Sequence, residues 1–195
     1  MKLSILIPST FDRQSMTDLL VFNVLNQVED LGITDQVQIL TDFDNKEVSI
    51  GAKRQRMLLA AKGEYVVSID SDDAIMTDYL AEIWRGIKEQ PDCITFEISC
   101  TGTKGKRANV SNKYPDWMDN VDGFDYVRLP YHKTPIKREL ALQIGFSNLR
   151  FGEDYDFSKR LKKARLIQSE YHIAKSLYLY QYKQEDFKKK YGFIR

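Results

Sequence analysis

Apolar residues over the first hundred positions switch between a short continuous period and a helical one. The run "LSILI" at residues 3 to 7 predicts a strand, after which Met16, Leu20, Val24, Val28 and Leu31 recur at helical spacing. Asp12 stands where it can cap that helix and Gly32 where it can close it. "QVQILTD" predicts a second strand ending at Asp42, followed by the polar turn "FDNKE" and a helix over about 49–62 closed by Gly63. "EYVVSID" predicts a third strand, Leu80, Ile83, Trp84 and Ile87 give the next helix its apolar stripe, and "DCITFEISC" supplies a fourth strand. Alternation of this kind predicts an α/β domain, three-layered and Rossmann-like, with helices on both faces of a mostly parallel sheet. Ligands in such sheets bind beyond the carboxyl ends of the strands, where Pro8, Asp42 and Asp70 stand.

The rhythm breaks after residue 100. "TGTKGKRANVSNKYPDWMDN" is polar, carries two Gly and a Pro, and reads as a long loop or excursion rather than a linker. Helix signals return over 137–144 and 153–164, and "SLYLYQYKQEDFKKKYGFIR" alternates briefly before turning basic and aromatic. The expectation is a single domain over 1–195, made of one half over 1–100 and another over 101–195 with its C-terminal tail.

Composition narrows the class. Lys plus Arg number 29 and Asp plus Glu 28, so the net charge of +1 gives no global attraction to nucleic acid or membrane. Cys93 and Cys100 both fall in "CITFEISC" and read as buried thiols rather than a disulfide or metal pair. The opening "MKLSILIPST" is too short before Pro8 for a signal sequence or a membrane span, and is read as a strand of a cytoplasmic protein.

Candidate chemistry is concentrated in "VVSIDSDDAI", an apolar strand driven into Asp70, Asp72 and Asp73. Asp70 and Asp72 are two apart and face the same side if the chain stays extended through Ser71. Two hard oxygen ligands there suit Mg²⁺ or Mn²⁺, with a substrate diphosphate and water completing the shell. The plainer alternative is a strand end plus a helix start capped by Asp73 or Thr77. An EF-hand needs a Gly that "DSDDAIMTDYLAE" lacks, and an aspartyl phosphatase needs Thr or Val where Ala74 stands.

With these segments placed, the chain resembles the family 2 glycosyltransferases of GT-A fold over nearly its whole length. The resemblance is carried by "SILIPST", "SIGAKRQRMLLAAKGEYVVSIDSDD", "TPIKRELALQIGF", "FGEDYDFSKRL" and "SLYLYQY", in that order; Gln55 departs from the usual Asn. It implies a metal-dependent, inverting transfer of a sugar from a nucleoside diphosphate donor, with UDP the expected nucleotide, to an acceptor hydroxyl. Residues 1–100 would then be the nucleotide-sugar half and 101–195 the acceptor side. By the same resemblance, Pro8, Ser9 and Thr10 border the nucleotide and Asp42 accepts from its base. Lys53 and Arg54 lie near the diphosphate or base, against the plainer alternative of a solvated helix face. Asp70 and Ser71 contact the donor, and Asp72, with Asp70, holds Mn²⁺ or Mg²⁺. Asp154 is the catalytic base and Glu153 bonds the acceptor or nearby backbone, where composition alone would read "GED" as an acidic first helical turn.

The departures concern the second half. Many GT-A enzymes supply a third metal ligand, often His, where "LYQYKQED" puts Lys183. His132 is read either as a structural residue or as an acceptor contact, and Trp117 and Tyr114 either stack on a sugar or base or pin the loop. The basic tail "KKKYGF" reads as a solvated helix face, a lid, an oligomer contact, an acidic-acceptor clamp or a patch for acidic lipid at a membrane surface. The acceptor itself is open among glycan, lipid, protein and modified nucleobase. A sugar-phosphate nucleotidyltransferase is disfavoured because "ILIPSTFDRQS" lacks its Gly-rich loop. A nucleotide-sugar-binding module without turnover is disfavoured by the intact Asp154.

Overall fold

The computed structural model describes residues 1–101 and 105–181 of the chain. Strand β1 (Leu3–Thr10) lies between β2 (Val37–Asp44) and β3 (Tyr65–Ser68), parallel to both. Its side chains alternate: Leu3, Ile5 and Ile7 enter one core and Leu6 the other. Helix α1 (Gln14–Asp30) buries Leu20, Val24 and Val28 on the first face, and α3 (Tyr79–Lys88) adds Leu80, Ile83 and Ile87. Helix α2 (Ile50–Ala60) covers the opposite face with Met57 and Leu58, joined by Ala141 of α4 (Arg138–Ile144) and by Phe157 and Leu161 of α5 (Glu153–Lys163). The α/β/α layering expected from the apolar pattern is therefore present.

Beyond β3 the sheet continues through β9 (Ile136–Lys137) to β5 (Cys93–Thr101), and β10 (Glu170–Gln181) runs parallel to β5. Two-residue β9 is antiparallel to both neighbours, so the long strands β1, β2, β3, β5 and β10 share one direction. Short β4 (Ala74–Ile75) pairs antiparallel with β10. The polar stretch after residue 100 is not a loop: β6 (Arg107–Val110), β7 (Met118–Val121) and β8 (Phe124–Arg128) extend the sheet past β5 and bury a small core of Tyr114, Val127 and Leu129. Asp12 does not cap α1; a 3₁₀ turn over Phe11–Arg13 intervenes, and Asp12 accepts from Thr10 and Lys46. Asp73 and Thr77 do not cap α3, whose N-cap residue is Asp78. Both cysteines are buried, and neither is in a disulfide. Among the described residues no helix is long and apolar enough to cross a membrane.

Candidate functional site at the carboxyl ends of the strands

A cleft of about 1130 Å³ opens where β1, β2 and β3 end. Pro8, Ser9 and Thr10 line it from β1, Asp70, Ser71 and Asp72 from the turn after β3, and Glu153 and Asp154 from the first turn of α5. Tyr131, His132 and Lys133 form its floor, and Trp117, Tyr126 and Arg128 its far wall. The floor is set by a buried segment over 129–136 that runs inside the sheet, where the His132 carbonyl accepts from the Ser68 amide at 2.7 Å.

Arg54 ties the near and far sides together. Its side chain is 4% exposed; Nη2 donates to Asp70 at 2.6 Å, Nη1 to Ser68 Oγ at 2.6 Å and Nε to Glu153 at 3.2 Å. Burial disfavours its charge, but Asp70 and Glu153 outweigh that and raise its pKa. Lys53, equally buried, donates to Asp44 at 2.5 Å and to the Ser9 carbonyl at 2.5 Å. The two basic residues are thus internal struts rather than a solvated helix face.

Asp42 does not line the cleft: β2 continues two residues further, and the Asp42 carboxylate is clamped by Arg56. Asp44 occupies the cleft edge instead, accepting from the amides of Lys46 and Val48. Asp70 is held well below the usual carboxylate range: burial would raise it, and Lys133, then Arg54, overcome that. Asp73 is pushed up by burial against the pull of Lys133, and is fastened to β10 by the Tyr178 hydroxyl at 2.7 Å and the Gln181 amide at 2.9 Å. Burial raises Glu153 as well, opposed by Arg54 and assisted by Asp154.

His132 Nε2 lies 3.5 Å from Asp70, with the side chain 2% exposed in the cleft floor. Burial first, and Arg54 next, lower its pKa to about 4, so the ring is neutral at physiological pH. Trp117 stays in the wall, edge-on to Tyr131 and Tyr155 at 5.3–5.4 Å with the Arg128 guanidinium over its ring at 4.9 Å; Tyr114 instead packs in the small core and accepts from Asn109. The contribution of Lys133 is absent from the sequence reading; a lysine bounded by "LPYH" and "TPI", with little polar company, was the available signal. Lys183 and the basic tail lie outside the described residues.

The donor set for a divalent cation is small. Among the described residues no three His, Cys, Asp or Glu side chains gather to hold a metal. Asp70 already bonds two cations, whereas Asp72 lines the cleft with Arg13, at 3.1 Å, as its one ionic partner among the described residues. Next to it in sequence, the Ser71 hydroxyl is buried with no hydrogen-bond partner among the described residues. One carboxylate and an orphaned hydroxyl at a cleft mouth fit a Mg²⁺ or Mn²⁺ ion whose other positions are filled by phosphate and water.

No family model and no curated protein matches the sequence. Among solved structures the chain is similar to S. aureus TarS 1–349 in complex with UDP-GlcNAc, with a TM-score of 0.67 and 16% identity over 94% of this chain and 59% of that one. It is similar also to S. aureus TarS 1–349 in complex with UDP, with a TM-score of 0.65 and 17% identity over 97% of this chain and 63% of that one. The match to S. aureus TarS covers 97% of this chain and 38% of that one, at a TM-score of 0.65 and 17% identity. The chain therefore spans 38–63% of the length of these structures. At such identity the likeness is one of fold, and the fold is single-domain GT-A.

Proposed function

We propose, from the GT-A architecture and the composition of its cleft, that this protein is a metal-dependent glycosyltransferase moving a sugar from a nucleoside diphosphate to an acceptor hydroxyl with inversion. The observation that carries the reading is the Arg54 bridge, which joins the strand-end Asp70 to Glu153 and so brings Asp154 to the same cleft. UDP as the donor nucleotide is supported by the UDP and UDP-GlcNAc complexes of the similar TarS structures.

In this reading Pro8, Ser9 and Thr10 border the nucleotide, with Asp44 taking the edge position at the end of β2. Arg13 and Lys46, whose side chains are 40% and 66% exposed in the cleft, are cations open to a diphosphate; Lys53 and Arg54 act by holding carboxylates. Asp72 would hold the divalent cation, which when bound neutralises the departing diphosphate. Asp154, half-buried at the cleft wall, removes the acceptor proton as the anomeric carbon develops oxocarbenium character. Glu153 fixes the turn that carries the base by its bond to Arg54. Trp117 offers an aromatic surface on the acceptor side.

The test begins with melting temperature against a panel of nucleotide sugars with Mn²⁺, then follows release of nucleoside diphosphate. Stabilisation by a nucleotide sugar and release of UDP are expected; release of pyrophosphate from a nucleoside triphosphate would mark a nucleotidyltransferase instead. Asp154→Asn should keep donor affinity and lower transfer by about 10²- to 10⁴-fold. Normal turnover in that variant would refute the role of the base.

A further inference from the structure

Lys133 enters the cleft floor as a buried cation with its contacts made. Its side chain is 5% exposed, and Nζ lies 2.9 Å from Asp70 Oδ2 and 2.5 Å from Asp73 Oδ2. The ammonium also sits 4.6 Å and 4.5 Å from the ring centres of Tyr178 and Tyr180. The Tyr178 hydroxyl accepts from the Asp70 amide at 3.2 Å and donates to Asp73 at 2.7 Å, which locks the turn between the two carboxylates. Lys133 thus stands between Asp70 and Asp73, where an ion would otherwise bridge them. Asp72, placed between them in sequence, is paired instead with Arg13 at the cleft mouth.

We propose that Lys133 is a resident countercation for Asp70 and Asp73, so that the nucleotide-free cleft does not take up a divalent cation and the metal enters on Asp72 together with the donor diphosphate. The second half rests on the glycosyltransferase reading; the first rests on the Lys133 contacts alone. A hard dication held by one or two carboxylates needs phosphate oxygens to complete its shell. Among the described residues Lys133 compensates Asp70 and Asp73 and Arg13 stands beside Asp72, so the rest of that shell falls to the donor diphosphate. Lys133 is in this sense a positioning residue: it fixes which carboxylate of "DSDD" meets the metal.

The experiment measures Mn²⁺ uptake by electron paramagnetic resonance on wild type, Lys133→Met and Lys133→Arg, each with and without UDP. Wild type and Lys133→Arg are expected to take up Mn²⁺ only with UDP. Lys133→Met, which keeps the stem and loses the charge, is expected to bind Mn²⁺ without nucleotide at least about 10-fold more tightly than wild type, because a unit positive charge within a few ångström of both carboxylates no longer repels the ion. A merely structural lysine would not yield this gain when removed. Equal affinity of wild type and Lys133→Met without nucleotide overturns the countercation role. If Lys133→Met does not fold, wild type decides alone, since tight Mn²⁺ uptake without UDP is incompatible with the proposal. Uptake by wild type that UDP does not improve overturns entry with the diphosphate. Failure of every nucleotide sugar to shift the melting temperature would instead count against the transferase reading, with the comparison of nucleotide-free proteins still standing.

Discussion

His132 is a neutral imidazole packed against two charged groups, and its effect on stability has a definite sign. Its folded pKa of about 4 lies below the ordinary 6.5, so between those values the unfolded chain binds a proton that the folded one refuses. Stability therefore falls as pH drops from 6.5 toward 4, by on the order of 3 kcal/mol. His132→Gln should flatten this limb of the stability curve, read by urea unfolding at several pH values. Glu153 and Asp73, whose raised pKa values act in the opposite sense, cancel in the comparison. An unchanged slope would mean that the imidazole is not held neutral. The residue type was plain in the sequence; its depth was not, because burial of His132 depends on strands far away in the chain. The same limit explains Asp42, the last acidic residue of an apolar run by inspection, whereas pairing with β1 carries β2 on to Asp44. That Asp70, Asp72 and Asp154 line one cleft was legible because their order along the chain carried the resemblance.

Helix α2 and the loop before α5 approach so closely that one position excludes any side chain. A Cβ on Gly51 would lie 1.9 Å from the Ser147 carbonyl, and the Gly51 amide donates to the Leu149 carbonyl at 3.0 Å. The Ser49 hydroxyl, cap of α2, adds a bond to Asn148 at 2.5 Å. This loop leads through Gly152, at φ +77°, into α5, whose acidic first turn and basic last turn suit the helix dipole. Gly51→Ala should therefore displace Glu153 and Asp154, lowering both melting temperature and turnover, with stability reduced by about 1–3 kcal/mol. A variant as stable and active as wild type would show that the loop yields. Period and punctuation sufficed to predict these helices. They failed for β6, β7 and β8, which are four or five residues long, interrupt their apolar positions with charged or polar ones, and become strands through pairing with β5 and one another.

The halves on either side of residue 101 share the two large cores. β9 is inserted between β3 and β5, β10 lies beside β5, and Leu177 and Tyr178 pack with Ile5, Val67 and Phe96 in one cluster. Residues 1–101 expressed alone should give no cooperative melting transition by circular dichroism, since they would expose the faces that β9 and β10 cover. A sharp transition in the fragment would contradict the interlocked sheet. The cleft also has an optical consequence. Of the two tryptophans, Trp84 sits on α3 against the main core, while Trp117 faces the cleft among two tyrosines and an arginine. With Trp84 replaced by Phe, intrinsic fluorescence becomes a single-site gauge of occupancy, needing no attached dye and no turnover.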